Sequence, residues 1–222
     1  FHLSVDATNE VAVARLRDRK NREEKPLAIM VDSVNKAKGI VHINSVEEKL
    51  LTSEQRPIVL LKKQTKNPVA ENVAPGNKRL CVMLPYTPLH YILFEHFKCS
   101  HPDGKEPILV MTSANLSEEP IAVSNEDARE RLANIADAYL MHDRDILIRA
   151  DDSVVLEINK QPVFFRRSRG YAPRPVFIKE SGPSLLAVAA ELKNTICLLK
   201  SKRAFLSQHI GDLENLIANE FF

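Results

Sequence analysis

Two runs in this 222-residue chain, Leu27-Ala28-Ile29-Met30-Val31 and Ile108-Leu109-Val110-Met111, are apolar at every position. A strand with one face in water alternates apolar and polar residues, so an unbroken run asks for a strand covered on both faces. That requirement favours a layered α/β fold. The punctuation agrees. Asp6, Thr8 and Asn9 are candidate N-caps for a short helix over Val11 to Leu16 that runs out near Asn21. Lys25-Pro26 then forces an extended entry into the first apolar run. Ser45-Val46-Glu47-Glu48 reads as a capping box before a helix over Val46 to Leu51. Strands are expected at Ile58 to Leu61 and Leu80 to Leu84, separated by a loop from Lys62 to Lys78. Pro88 opens a helix to Phe97, and Ser124 caps another reaching about Ile135. Tyr139 to His142 reads as a strand, and Ser153 to Ile158 with Val163 to Arg167 as a hairpin around Asn159-Lys160-Gln161. The sum is a mixed open sheet in an α/β layer architecture.

Composition narrows the function classes. With 44% hydrophobic and 27% charged residues the chain is neither disordered nor fibrous. Its longest apolar run, Leu185 to Ala190, has six residues against the roughly 20 that span a bilayer. The start of the chain has no basic-then-apolar leader and resembles a strand cut open. No membrane partner is expected. Cys81, Cys99 and Cys197 are odd in number with no C-x-x-C pair, so free thiols in a reducing cytoplasm are expected. His96, Cys99 and His101 lie close together, but a fourth ligand at usable spacing is missing, and no structural zinc or iron site is expected.

The net charge of +2 does not call for a polyanion. Its distribution is more informative. Six basic residues and no acid lie between Ile158 and Lys179, and six more lie between Arg15 and Lys25 against three acids. Two local positive regions suit a compact anion such as a phosphate chain better than a nucleic-acid track. Composition also shifts near residue 180, where Pro173, Pro175 and Ser181-Gly182-Pro183 precede three apolar runs, Leu185 to Ala190, Thr195 to Leu199 and Ala204 to Ile210. Two units are expected, 1–180 and 181–222, the second too short for a core of its own.

Three constellations could carry chemistry. Lys20-Asn21-Arg22 sets an ammonium and a guanidinium on one loop, able to clamp phosphate or carboxylate oxygens, or simply to end a helix with cations. Thr112-Ser113-Ala114-Asn115-Leu116-Ser117 follows a buried strand at its carboxyl end, where open sheets bind ligands; an ordinary Ser/Asn turn reads equally well. Asp151-Asp152-Ser153 faces Arg166-Arg167-Ser168-Arg169 across the hairpin, as an ion network or as a magnesium-phosphate site. Neither a P-loop nor a G-x-G-x-x-G is present.

In order along the chain, Phe1-His2-Leu3, Lys20-x-Arg22, Leu84-Pro85-Tyr86-Thr87-Pro88-Leu89-His90, Ser113-Ala114-Asn115, His142-Asp143-Arg144, Asp151-Asp152-Ser153-Val154-Val155 and Arg169-Gly170-Tyr171-Ala172-Pro173 resemble the YrdC-like domain of the HypF carbamoyltransferases. Glu191 to Thr195 and Ser207 to Asn215 resemble the opening of that family's transfer domain, of the actin-like ATPase fold. The resemblance implies a YrdC-like twisted sheet of the double-stranded RNA-binding-like kind. It implies ATP with Mg2+, and formation of carbamoyl-adenylate from carbamate with release of pyrophosphate. The carbamate derives from carbamoyl phosphate, and the carbamoyl group passes to the C-terminal cysteine of HypE in nickel-iron hydrogenase maturation. Lys20 and Arg22 would clamp phosphate and carbamate. Ser113 and Asn115 would hold the triphosphate, Ser153 and Asp152 would lie near phosphate or magnesium, and Arg167 or Arg169 would close the site. His90, His142 and Arg144 would contact substrate. The family's upstream glycine-rich strand, acylphosphatase and zinc-finger regions and its downstream histidine motif have no match here, so a piece with incomplete activity is expected. Two competitors are a threonylcarbamoyl-adenylate synthase of tRNA modification and a noncatalytic RNA-binding module built on Ile158 to Lys179.

Overall fold

The computed structural model describes residues 1–101, 107–116, 119–214 and 216–221; Ser117 and Asn215, both in motifs quoted above, lie outside them. One mixed sheet organises the first three quarters of the chain. Its strands are β1 (His2–Asp6), β2 (Ala28–Met30), β3 (Val41–His42), β4 (Ile58–Lys63), β5 (Arg79–Met83), β6 (Leu109–Ser113), β7 (Val154–Ile158) and β8 (Gln161–Arg166). The order is β1-β6-β2-β5-β4-β7-β8, with β3 paired to β4. The pairs β2 with β5 and β4 with β7 are parallel, and the rest are antiparallel. The uniformly apolar β2 sits centrally and is buried at all of its positions, as its composition requires.

The helices divide unequally between the faces. On one face α1 (Glu10–Arg19), α2 (Val34–Lys38), α3 (Ser45–Thr52) and α5 (Asn125–Arg131) deliver Val13, Leu16, Ala37, Leu51 and Ala128 onto Ile29, Val59, Leu61, Leu80, Val82 and Val110. On the other, α4 (Pro88–Ser100) brings Phe94 against Ala28, Met30, Ile58, Met83, Leu109 and Met111. Alternation along the strands sends Ile29 to one face and Ala28 with Met30 to the other. One helix cannot cover a sheet of this width, and the cavity described below opens on that less-covered face.

Several local expectations are corrected. The capping box of α3 begins one residue early: the Asn44 side chain accepts from Val46 N and Glu47 N while Glu47 reaches back to Asn44 N, so Glu47 is the reciprocal residue. Helix α5 ends at Arg131 and only a turn continues, its Ile135 N–H donating to Leu132 O. Tyr139 to His142 is not a strand. It lies in a stretch from residue 137 to 153 that forms neither helix nor strand, since apolar character alone does not supply the strand partner that pairing needs. The hairpin is present, and Asn159 and Lys160 both take positive φ in its tight turn.

Beyond the main sheet, β9 (Val176–Val188) and β10 (Ile196–Leu206) form an antiparallel ribbon, followed by α6 (Leu216–Phe221). The runs Thr195 to Leu199 and Ala204 to Ile210 are thus not two strands, because β10 is continuous from the first into the start of the second. Strand β9 passes through residue 180, and the register of the ribbon shifts on either side of the Ser201–Gly182 pair, next to Pro183, which has no N–H to offer the ladder. Asn194 closes the base of the ribbon, donating to Ala189 O and Ala190 O.

Candidate active site

The less-covered face holds a cavity of about 1150 Å³ whose wall includes His2, Arg22, Ser113, Arg166 and the stretch from residue 137 to 152. Register explains the convergence. His2 lies opposite Ser113 and Arg166 opposite Val154, so these side chains share one face of the sheet with Cys81 and Met111. Cys81 is no nucleophile there, since burial pushes its thiol up to about 11.

Lys20 ends α1 on its buried side. The stripe Val13, Leu16, Arg17, Lys20 follows i, i+3, i+4, i+7 spacing, and all four residues are buried. The Lys20 Nζ donates to Ser113 O at 2.7 Å, to Asn115 O, and toward Asn115 Oδ1 at 3.4 Å. Burial, then the neighbouring Arg22 charge, pushes its pKa down to about 7. Ser113 Oγ donates to Asn115 Oδ1 at 2.6 Å, and Asn115 Nδ2 donates to Glu119 O at 2.5 Å. Lys20, Ser113 and Asn115 therefore form one unit, in which Ser113 faces the cavity and the other two stand behind it.

Arg22 lines the cavity, its guanidinium donating to Pro26 O at 2.6 Å, Lys25 O at 3.2 Å and Thr112 Oγ1 at 3.4 Å. Behind it stands Arg17, which the sequence reading did not single out. Arg17 donates to the carbonyls of Asn72, Arg22, Glu23, Lys25 and Val73, fixing the loop that carries Arg22. The signal for it was available: a cation on the apolar stripe of a helix has to be satisfied by something buried.

The hairpin side is built differently. Asp152 accepts from Arg169 Nε at 2.6 Å and bonds His2 Nε2 at 3.0 Å. Burial would raise its pKa, but those bonds and charges outweigh burial and hold the carboxyl well below the usual carboxylate range. Arg169 also donates to Gln55 O and Arg56 O, and its guanidinium lies 3.5 Å over the Tyr86 ring. Gly170 makes this approach possible: its φ is +83°, and a Cβ there would stand 2.9 Å from Gln55 Cα. Tyr86 meets His90 edge-on at 4.6 Å, and burial pushes His90 down to about 4.

The expected residues thus separate into two sets. Arg22, Ser113, Asp152, Arg169, His90, His142 and Arg144 are on the cavity wall, with His142 stacked on Phe1 at 5.2 Å. Lys20, Asn115, Ser153 and Arg167 are not. Ser153 is fully buried, donating to Arg169 O and accepting from Ser168 N. Arg167 points to Tyr171 O and Arg174 O. The arginine of this segment that joins Arg169 on the wall is Arg166, 3.6 Å from Asp151. Among the described residues, no group of three or more His, Cys, Asp or Glu side chains is placed to hold a metal ion.

Comparison with known proteins fits this arrangement. Residues 1–168 match the Sua5–YciO–YrdC family, described as telomere recombination, and residues 180–222 match the HypF Kae1-like domain. Carbamoyltransferase HypF2 of Cupriavidus necator is 50% identical over 97% of this chain and 28% of its own length. Carbamoyltransferase HypF of Rhizobium leguminosarum bv. viciae is 45% identical over all of this chain and 29% of its own. The crystal structure of full-length HypF in its phosphate- and nucleotide-bound form matches with a TM-score of 0.90 and 45% identity, over 100% of this chain and 28% of that one. Sua5 of P. abyssi complexed with L-threonine shares the fold, with a TM-score of 0.63 at 20% identity over 78% of this chain and 48% of its own. The chain spans less than a third of the HypF relatives, and across that span it belongs to the Sua5–YciO–YrdC family in the form carried by the HypF carbamoyltransferases.

Proposed function

We propose that residues 1–180 form an ATP-dependent adenylating unit that joins carbamate to AMP, releasing pyrophosphate, and that residues 181–222 belong to a second unit that receives the carbamoyl group for transfer to HypE in hydrogenase maturation. The observation that carries this reading is the convergence of Arg22 and the Lys20-backed Ser113–Asn115 turn on one cavity. The reaction brings two anions together, so it is limited by charge and positioning. Carbamate is already ionised and needs no general base. Its oxygen attacks the α-phosphorus in line, and the bond to the β-phosphate oxygen breaks as pyrophosphate leaves.

The residues then take distinct parts. Arg22 offers the cavity a guanidinium none of whose partners among the described residues is a carboxylate. Lys20 supplies charge from behind the turn, and Ser113 presents the turn to phosphate. Arg166 and Arg169 close the opposite wall. Magnesium enters with the nucleotide as substrate. Asp152 is not offered to it, since His2 and Arg169 take both of its oxygens. His142 and Arg144 lie on the irregular wall, where they can meet the nucleotide. The chemistry is that of a nucleotide-handling enzyme of the cytoplasm.

The test is pyrophosphate release with ATP, magnesium and ammonium bicarbonate as the source of carbamate. Release that depends on carbamate and is lost in Arg22→Ala supports the reading. A folded protein that binds no ATP by calorimetry overturns it, and release that requires L-threonine moves it to threonylcarbamoyl-adenylate synthesis.

A further inference from the structure

Carbamate presents two chemistries at once: a carboxylate, which cations attract, and an amino group whose N–H bonds need acceptors. The reading above accounts for the first and leaves the second unmet. Among the carboxylates on the cavity wall, Asp152 is taken by His2 and Arg169, Asp137 by Arg15 and Arg19 and Asp6 by Thr8, Asp151 faces Arg166 at 3.6 Å, and Asp145 is exposed on the irregular stretch, away from the strand face that carries Ser113. Arginine and lysine side chains offer no acceptor at all.

His2 is different. Because Asp152 is held as a carboxylate, it can only accept, so the 3.0 Å contact requires Nε2 of His2 to carry the hydrogen. In the neutral ring that fixes the tautomer and leaves Nδ1 as a bare acceptor. The ring is further constrained by His90 at 5.9 Å and Tyr86 at 6.4 Å, both meeting it edge-on. No hydrogen bond engages Nδ1 among the described residues, and His2 lies on the cavity wall with 23% of its side chain exposed. Its position is set by the sheet: His2 is paired with Ser113, whose carbonyl takes the Lys20 ammonium. An acceptor therefore stands one strand away from the proposed phosphate-binding turn.

We propose that His2, oriented by Asp152, accepts an N–H of the carbamate through Nδ1 and so selects an amino-bearing carboxylate over a plain one. This rests on the adenylation reading and names a residue that determines which acyl anion the site uses. Asp152 acts as a positioning residue in it. No bond is made or broken at the ring.

The experiment measures pyrophosphate release from the full chain at saturating ATP and magnesium while carbamate is varied. His2→Phe keeps an aromatic ring and removes the acceptor, and His2→Gln restores both a donor for Asp152 and an acceptor for substrate. His2→Phe is expected to raise the carbamate KM about tenfold, the cost of leaving one donor unsatisfied, with the ATP KM unchanged, and His2→Gln to recover most of the loss. Acetate, which has no N–H, should compete equally well with either protein. An unchanged carbamate KM in His2→Phe, or an equal rise for ATP, overturns the inference and leaves the adenylation reading standing. No carbamate-dependent release in the unsubstituted protein removes both. Should His2→Phe fail to bind ATP by calorimetry, nitrogen-15 NMR of the unsubstituted protein decides. The unprotonated His2 nitrogen is expected to shift on adding carbamate with a non-hydrolysable ATP analogue and to stay in place with acetate. Equal shifts, or none, overturn the proposal.

Discussion

Two arginine groups flank the cavity, and they are held in opposite ways. Arg17 and Arg22 are fixed by main-chain carbonyls and one threonine hydroxyl, none of which carries a full charge. Arg166 and Arg169 instead face the carboxylates Asp151 and Asp152, at 3.6 and 2.6 Å, with Arg169 held further by the carbonyls of Gln55 and Arg56. Carbonyl dipoles satisfy the N–H groups and leave the positive charge in place for a ligand, whereas a carboxylate satisfies them and cancels it. The first wall is thus suited to attract phosphate and the second to hold a shape. Sequence composition, which counted six cations in each segment, makes them look alike.

The contrast can be broken at several points. The largest effect is expected at Asp152: its replacement by Ala leaves the partly buried Arg169 without its carboxylate and should cost about 2–4 kcal/mol in denaturant unfolding. Its pH signature follows from the lowered carboxyl pKa. The stabilisation is fully present above the unfolded value of about 4 and is lost as pH falls through the lower folded value, so acid unfolding should flatten in Asp152→Asn. Next is Gly170→Ala, expected to cost about 1–3 kcal/mol through positive φ and the clash with Gln55, while ATP affinity falls little. On the opposite wall, Arg22→Ala should weaken ATP binding by about 1.5–3 kcal/mol in calorimetry with unfolding nearly unchanged. If it destabilises as much as Asp152→Ala, the two walls are not different in kind.

Lys20 sharpens the comparison further. With its pKa near 7, binding of a polyanion should draw a proton onto it, so calorimetry in buffers of different ionisation enthalpy should show proton uptake and ATP affinity should fall as pH rises above 7. Lys20→Arg should abolish the uptake. The smallest effect belongs to the exposed Arg174–Glu54 pair at 3.5 Å, where Arg174→Gln should change stability by no more than about 0.5 kcal/mol.

Legibility in the sequence followed how local the cause was. The unbroken apolar run of β2 predicted its central place, Pro88 its helix start and Asn159-Lys160 its hairpin, because each depends on a few adjacent residues. Tyr139 to His142 carried the same apolar signal without becoming a strand, because pairing depends on partners far away in the chain and not on local composition. In the same way Arg166, Arg167 and Arg169 are equivalent as letters. Register sends Arg166 to the cavity, and past the strand end the Arg169 N–H bond to Asp151 O brings Arg169 there while Arg167 turns toward Tyr171 and Arg174. Arg17 was hidden for a third reason: its partners Asn72 and Val73 are over fifty positions away.

The cavity wall from residue 138 to 150, inside the charged pairs made by Asp137, Asp151 and Asp152, takes no part in the sheet ladder, while the floor beneath it is made of strands. Displacing that wall breaks no interstrand hydrogen bond, so the opening through which the proposed nucleotide would enter is uncoupled from the cooperative unit that keeps the protein folded. Variants of this stretch can therefore alter residence time and protease susceptibility over a wide range at nearly constant melting temperature, and natural selection could tune turnover there without touching stability.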